Sequence, residues 1–137
     1  MTIDRTKYSV IESVEDRVSN IDFWDNGIIF IKLKNNIQIE LEDANKQFLF
    51  LKGKYDGVHK HNILVEPGLD TSISKEAREF STNPQSNEMT AATAVIVKSL
   101  AHKLLINFII KFTHKQTMKM KMFDDKQKAI NWLLTHK

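Results

Sequence analysis

The chain has 137 residues, a mass of 15.9 kDa and a formal net charge of +3. Hydrophobic residues make up 42% and charged residues 27% of the sequence, proportions typical of globular proteins and unlike those of disordered chains. The longest nearly unbroken apolar run, Leu104 to Ile110, is interrupted by Asn107 and is far shorter than the roughly 20 residues that cross a bilayer, so no transmembrane segment is expected. This length suits one domain with its own core, and we predict a single domain over residues 1–137.

Two further features favour a cytoplasmic protein. The segment from Met1 to Lys7 alternates charged and small polar residues and lacks the apolar core of a secretory signal. The chain contains no cysteine, which excludes disulfides and thiolate chemistry and makes a reducing compartment the simplest location.

Charge is distributed unevenly along the chain. Acidic residues outnumber basic ones up to residue 88, whereas no acid occurs between Met89 and Phe123. Six lysines lie in that second segment: Lys98, Lys103, Lys111, Lys115, Lys119 and Lys121. They could attract phosphates or an acidic partner, or they could solvate one side of the fold and face acids of the first half. No aromatic-rich basic motif accompanies them, so no nucleic-acid partner is expected.

The first part of the chain predicts an antiparallel meander. Three segments have the length and apolar content of strands: Tyr8 to Ser13, Arg17 to Asp25 and Gly27 to Leu33. Asn26-Gly27 joins the last two, and this pair tolerates the positive φ angles of a tight hairpin turn. Apolar residues occupy both faces of the third strand, which predicts burial on both sides of the sheet. They are Ile29, Ile31 and Leu33 on one face and Ile28 and Phe30 on the other.

After the short strand Ile37 to Ile39, the apolar period becomes that of a helix packed on a sheet. The stripe consists of Ala44, Phe48, Leu51 and Tyr55. Gly53 and Gly57 are expected to end this helix.

A second strand and helix follow at once. Ile63 to Val65 is a short apolar strand that Pro67-Gly68 stops. The next helix is predicted from the spacing of Ile73, Ala77 and Phe80. We expect Thr71 or Ser72 to be its N-cap.

The rest of the chain alternates strand and helix after an exposed loop at Ser81 to Met89. The predicted elements are strand Ala92 to Val97, helix Ser99 to Thr113, strand Thr117 to Phe123 and helix Asp124 to His136. Residues 118–122 alternate methionine and lysine, so the methionines are expected to enter the core. Asp124 and Gln127 resemble a capping box at the start of the last helix.

Antiparallel strands followed by strand-helix units predict the α/β class. Each helix returns the chain over the sheet by a right-handed crossover, so the later strands should be parallel. We expect a mixed sheet of about five strands, with an N-terminal antiparallel meander, covered by about four helices.

The C-terminal part resembles the STAS-like, or SpoIIAA-like, proteins. The segments that carry the resemblance are TAATAVIVKSLAHKLLINFIIKF and MKMKMFDDKQKAINWLL. In that family an apolar strand leads into a long helix, and a later strand ends in Phe-Asp before a closing helix with an Ala-x-x-Trp-Leu pattern. The corresponding residues here are Phe123, Asp124, Ala129, Trp132 and Leu133. Residues 77–80, Ala-Arg-Glu-Phe, are similar to a segment of small uncharacterised bacterial members of this group.

This resemblance implies the fold of anti-sigma-factor antagonists, which is shared in outline with lipid-binding domains. In the signalling branch, a serine at the head of a helix after a central strand is phosphorylated by a partner kinase. Thr71, Ser72 and Ser74 occupy the comparable place and form a candidate phosphoacceptor or anion site. The family's Asp-Ser-Ser-Gly signature is absent, and the stretch here is GLDTSIS. The alternative is that one hydroxyl only caps the helix, which would stabilise it by about 1 kcal/mol.

The predicted helix Ser99 to Thr113 has apolar residues on two faces. The expected main buried face consists of Ala101, Leu104, Leu105, Phe108 and Phe112. His102, Ile106 and Ile110 line a second face, which we predict as a packing or self-association interface, so a homodimer is one expected assembly. The alternative is that another part of the same chain covers this face.

No catalytic or cofactor-binding motif is evident. His59 and His61 have a spacing compatible with metal ligands, but no third ligand accompanies them, so neither a metal nor a cofactor is predicted. We therefore predict a non-enzymatic regulatory or protein-binding module that docks to protein partners. The alternative is a carrier of an apolar or lipid-like ligand. An enzyme would need a polar pocket, for example one that holds Glu76, Arg78 and a histidine.

Overall fold

A computed structural model of the chain describes residues 7–81, 83, 88–104, 107 and 119–135. The strands are β1 (Val10–Glu15), β2 (Ser19–Trp24), β3 (Ile28–Leu33), β4 (Gln38–Ile39), β5 (His61–Glu66), β6 (Ser72–Ile73), β7 (Thr90–Ile96) and β8 (Lys119–Phe123). The helices are α1 (Leu41–Gly53), α2 (Lys75–Ser81), α3, whose described helical residues are 100–104 and 107, and α4 (Lys126–Leu133). None of the helices in these ranges has the length and apolar content needed to span a membrane.

The meander is confirmed, because β1 pairs with β2 and β2 with β3 in antiparallel fashion. The turn between β2 and β3 is a three-residue loop in which Gly27 alone has a positive φ, of 92°. Asn26 contributes its side chain instead, since its Oδ1 accepts a hydrogen bond from the Ile28 backbone N at 3.1 Å. The loop therefore needs one glycine in the left-handed region rather than two residues with positive φ.

The later strands are parallel, as expected. The main sheet has the order β1-β2-β3-β5-β7-β8, and every pair from β3 onward is parallel. It contains six strands where about five were expected. The structure adds a separate parallel pair, β4 with β6, which the sequence pattern did not predict as a pair. Ile73 lies in β6 and not in the helix to which its spacing assigned it.

Helices pack on both faces of the sheet. On the first face, α1 contributes Leu51 to a cluster with Ile21, Ile29, Ile31 and Ile63. On the second face, α4 contributes three residues to a cluster with residues of the sheet. The residues of α4 are Ala129, Ile130 and Leu133, and those of the sheet include Trp24, Phe30, Leu64, Ala94 and Ile96. Residues 28–31 of β3 are all buried, so the prediction that this strand is covered on both sides is confirmed.

The alternation in β8 also follows the prediction. Met120 and Met122 are half-buried and pack against Val95 of β7 and Val97 just after it, while both lysines of β8 are exposed. The predicted loop at Ser81 to Met89 and the predicted helix to Thr113 fall largely outside the described residues, as does Met118.

Helix starts differ from their predicted positions. The N-cap of α4 is Asp125 and not Asp124, and its side chain accepts hydrogen bonds from the backbone N of Gln127 at 2.7 Å and of Lys128 at 3.4 Å. The start of α1 has a capping arrangement that was not predicted. The Asp43 side chain accepts a hydrogen bond from the backbone N of Glu40 at 2.8 Å. A carboxylate at either site also suits the positive end of the helix dipole.

Candidate functional site

A cavity of about 240 Å³ lies between the first face of the sheet and the helices that cover it. Its volume exceeds the roughly 150 Å³ of an engineered apolar cavity that stays dry and binds benzene. It is somewhat smaller than the roughly 300–1,000 Å³ of typical small-molecule sites. The space therefore suits a ligand on the scale of one or two rings or a short chain.

The walls of this cavity are mostly apolar because they use the inward-facing residues of neighbouring elements. Alternate residues of the parallel strands, including Ile31, Val65 and Val95, form the floor. Phe48 of α1 and Phe80 of α2 form part of the opposite wall, and their rings meet edge to face with centroids 5.7 Å apart. These two helices pack on each other, and the described residues leave a space between them and the strands.

His102 of α3 brings a polar ring to this apolar space. Its side chain is half-buried and lines the cavity, and the Nδ1 atom is buried without a hydrogen-bond partner in the part of the chain that the structure describes. The backbone N of His102 donates to Ser99 Oγ at 3.1 Å, which fixes the first turn of α3.

This orientation contradicts the predicted burial of α3 at the two described residues of that face, while Leu105, Phe108 and Phe112 lie outside the described residues. Ala101 and Leu104, expected on the main buried face, are exposed, and Leu104 is 62% exposed. The face that carries His102 is the one that meets the cavity. An interface role for His102, Ile106 and Ile110 stays a prediction, and Ile106 and Ile110 lie outside the described residues.

Two of the three predicted hydroxyl residues also line the cavity, namely Thr71 and Ser72. The Thr71 hydroxyl accepts a hydrogen bond from the Gly68 backbone N at 2.8 Å and donates one to the Lys34 carbonyl at 2.9 Å. Ser72 has an exposed side chain, and its backbone N donates to the Ile37 carbonyl at 2.9 Å. Thr71 thus joins two loops, while Ser72 is an exposed residue at the edge of the cavity.

Ser74 begins the helix that Thr71 or Ser72 was expected to cap. Its Oγ accepts a hydrogen bond from the backbone N of Ala77 at 3.1 Å, and the side chain is almost fully buried. The N-cap prediction was therefore wrong by two or three residues, because the chain continues in β6 before it turns into α2. A phosphoacceptor or anion role for this stretch stays a prediction, and Ser72 is the member with an exposed residue surface.

The loops beside Thr71 approach each other closely. A Cβ added to Gly68 would lie 2.8 Å from the backbone carbonyl carbon and oxygen of Lys34, so only glycine fits there without a backbone shift. The Asn36 backbone N donates to the Leu69 carbonyl at 2.7 Å across the same junction. This junction holds β6 beside β4 at the rim of the cavity.

The two histidines considered as metal ligands have different partners. His59 Nδ1 lies 2.7 Å from Asp56 Oδ2, and this contact with His59 lowers the pKa of Asp56 well below its ordinary value. His61 Nε2 lies 3.1 Å from the Leu51 carbonyl. No group of three metal-binding side chains occurs within the described ranges.

Among the described lysines of the segment from Met89 to Phe123, Lys98 contacts an acid of the first half. Glu66, at the end of β5, lies between Lys98 and Lys32, with nitrogen-oxygen distances of 3.6 and 3.7 Å. Lys119 and Lys121 are exposed, while Lys111 and Lys115 lie outside the described residues. The ion pair at Lys98 fits the alternative in which basic residues face acids across the fold.

Comparison with known proteins identifies the fold and the family. No curated protein matches the chain. A solved structure that it resembles is an uncharacterized protein of the DUF3478 family with a SpoIIAA-like fold, from Shewanella loihica PV-4. The two share 15% sequence identity and a TM-score of 0.59 over 97% of this chain and 98% of the other, so the chain has a SpoIIAA-like fold. The family model described as a domain of unknown function, DUF7793, matches residues 23–137, and the chain therefore belongs to the DUF7793 family.

Proposed function

We propose that this protein is a non-enzymatic binding module that holds a small, mainly apolar ligand in the cavity between its sheet and its helices. The observation that carries the proposal is the cavity itself, which is lined mostly by apolar side chains. Concave apolar sites with few polar groups are the usual form of small-molecule binding sites. The cavity supports the predicted alternative of an apolar carrier.

The chemistry of the lining favours binding over catalysis. Its polar members are hydroxyls, one amide and one imidazole, and among the described residues it includes no carboxylate, lysine or arginine. Acid-base and nucleophilic catalysis pair an ionisable group with a second reacting group at hydrogen-bond distance. The ionisable group of the described lining is the His102 imidazole, and its Nδ1 has no such partner there. Glu76 and Arg78, which would support an enzyme, are not part of the lining.

The test is ligand retention by protein purified gently from its native cell and measured by native mass spectrometry. We expect a stoichiometric bound molecule in the wild type and its loss from the variant Ala44→Phe, because Ala44 lines the cavity and phenylalanine would fill it. Leu49→Phe is the matched control, since Leu49 is on the same helix and is 55% exposed. A wild type that carries no ligand and binds no small apolar probe would contradict the proposal.

A second candidate function is docking to a protein partner, and we propose a second copy of the chain as that partner. Leu100 and Leu104 of α3 favour it, because they are 70% and 62% exposed and lie one helical turn apart. Large exposed apolar groups on one helix face often mark contact sites. In a two-fold dimer the same face would serve both copies.

Sedimentation over a range of protein concentrations tests this candidate. We expect a monomer-dimer equilibrium in the wild type that shifts toward monomer in Leu104→Ser, because a polar side chain removes apolar area from the contact. Lys103→Ser is the control on the neighbouring exposed position. Identical sedimentation of all three proteins would exclude α3 as a dimer interface.

A further inference from the structure

Strand β8 forms one edge of the main sheet, so among the described residues one side of its backbone has no neighbouring strand. It pairs with β7 in a parallel register that runs without a bulge from Lys119 to Phe123. The Phe123 carbonyl accepts a hydrogen bond from the Val97 backbone N at 2.8 Å, so the backbone polar groups of Phe123 point toward β7. Because these groups alternate along a strand, those of Met120 and Met122 point to the open edge. The edge therefore offers the N–H and C=O groups of both methionines to a further strand.

The side chains of this edge are basic on one face and apolar on the other. Lys119 and Lys121 are exposed, lie on the same face of β8 and form no ion pair among the described residues. The Lys121 Nζ lies 5.3 Å from the centre of the Phe123 ring, beside the strand. On the opposite face, Met120 and Met122 are half-buried and leave apolar surface at the edge. A strand that complements this edge would alternate acidic and apolar residues.

The charge of the edge also disfavours a second copy of the chain as the added strand. Lysines on an edge strand usually protect a protein against pairing with its own copies. Antiparallel pairing of two β8 strands about their centres would set Lys121 opposite the same lysine of the other copy, and like charges directly opposite each other destabilise a strand pair. Strand β1, at the other edge of the sheet, is interrupted by a bulge, and its Glu12 and Glu15 already pair with lysines of their own chain at 2.9 and 2.7 Å. An acidic strand from a different protein meets none of these obstacles.

We propose that β8 is a docking edge for an extended acidic segment of a protein partner, which adds to the six-stranded sheet as one more strand. Its backbone would pair with Met120 and Met122, and its acidic side chains would face Lys119 and Lys121. Main-chain hydrogen bonds give such strand addition its affinity, and alternate side chains give its specificity. Asp124, directly after β8, would repel an acidic segment that continued past the end of the strand. The proposal does not depend on a ligand in the cavity.

Two capped peptides as long as β8 test the charge requirement, one that alternates glutamate with valine and one that alternates lysine with valine. We expect the full-length protein to bind the glutamate peptide at least about tenfold more tightly, because the lysine peptide replaces cross-strand ion pairs by like-charge pairs. NMR titration measures both affinities. The amides of Met120 and Met122 should gain protection from hydrogen exchange with the glutamate peptide. Equal affinities, or no binding of either peptide, would overturn the proposal.

Methylation of alternate peptide nitrogens tests the strand pairing itself. In an added strand, one set of alternate N–H groups faces β8 and the other set faces away from it. We therefore expect methylation of the valine nitrogens and methylation of the glutamate nitrogens to differ, with one change abolishing binding and the other preserving it. Loss on valine methylation identifies an antiparallel strand, and loss on glutamate methylation a parallel one. If the two methylated peptides behave alike, strand addition is overturned.

The double variant Lys119→Glu with Lys121→Glu should reverse the preference and bind the lysine peptide more tightly. The matched control is Lys60→Glu with Lys75→Glu, which makes the same change in net charge at exposed positions outside β8 and should keep the wild-type preference. A reversal in both double variants, or in neither, would contradict a role for the β8 lysines. Tighter binding of a single-stranded oligonucleotide than of the glutamate peptide would make the edge a phosphate-binding surface and overturn the proposal. The peptide results with the wild type decide the matter even where a variant fails to fold.

Discussion

Replacing Leu64 with alanine is expected to lower the free energy of unfolding by about 2–5 kcal/mol, the largest single effect that we predict. Leu64 has no exposed surface and lies in the middle of β5, where it pairs with Phe30 of β3 and Ala94 of β7. Truncation would remove apolar burial and leave a space that the packed neighbours fill only in part. Urea unfolding followed by the fluorescence of Trp24 and Trp132 measures the loss.

The control for this experiment is Leu49→Ala on the outer side of α1. Leu49 is 55% exposed, so the same chemical change should alter the free energy of unfolding by no more than about 0.5 kcal/mol. Equal losses in the two variants would mean that the second face of the sheet is not packed as the structure describes.

The strands were predictable because their signals are local. The two-residue alternation in β8 and the apolar residues on both faces of β3 follow from the geometry of an extended chain on a covered sheet. The hairpin was predictable from Asn26-Gly27, because glycine adopts the positive φ of the turn without strain. Where one face must be buried, such patterns also fix the register of pairing.

Helix ends were harder to place because several polar residues compete for one role. Thr71, Ser72 and Ser74 all have hydroxyls that could cap α2, and the β4-β6 pairing decides among them by carrying the chain forward to Ser74. The same competition operates between Asp124 and Asp125 at the start of α4. Pairings between distant segments settle these cases, and such pairings leave little trace in local sequence.

The cavity could not be predicted from the sequence for a related reason. Its lining brings together Ala44, Val65, Phe80 and His102, which belong to four different elements. The spacing of residues in α3 gave two apolar faces, and it could not decide which one meets the sheet. The exposure of Leu104 and the place of His102 in the cavity lining show which described face of α3 turns inward.

Asp43 connects three segments at the start of α1. Its carboxylate accepts hydrogen bonds from the Arg17 guanidinium and from the backbone N of Glu40, and Arg17 also donates to the Gln38 carbonyl at 2.8 Å. The residue is almost fully buried. The hydrogen bonds from Arg17 lower the pKa of Asp43 below its ordinary value of 3.8. Folding therefore favours the ionised form of this side chain.

Substituting Asp43 with asparagine should lower the free energy of unfolding by about 1–2 kcal/mol at pH 7. One of the two accepting oxygens becomes an NH2 group that cannot accept, and the bond that remains to half-exposed Arg17 loses its ionised acceptor. Since the folded pKa is depressed, this contribution is present above the unfolded pKa and is lost as the pH falls below about 4 toward the folded value. The stability difference between wild type and Asp43→Asn should therefore shrink as urea unfolding is repeated from pH 5 down to about pH 2. Glu42→Gln, at an exposed position in the same turn, is the matched control for loss of one negative charge. A difference that stays constant across this range would show that the charge of Asp43 is not what stabilises the start of α1.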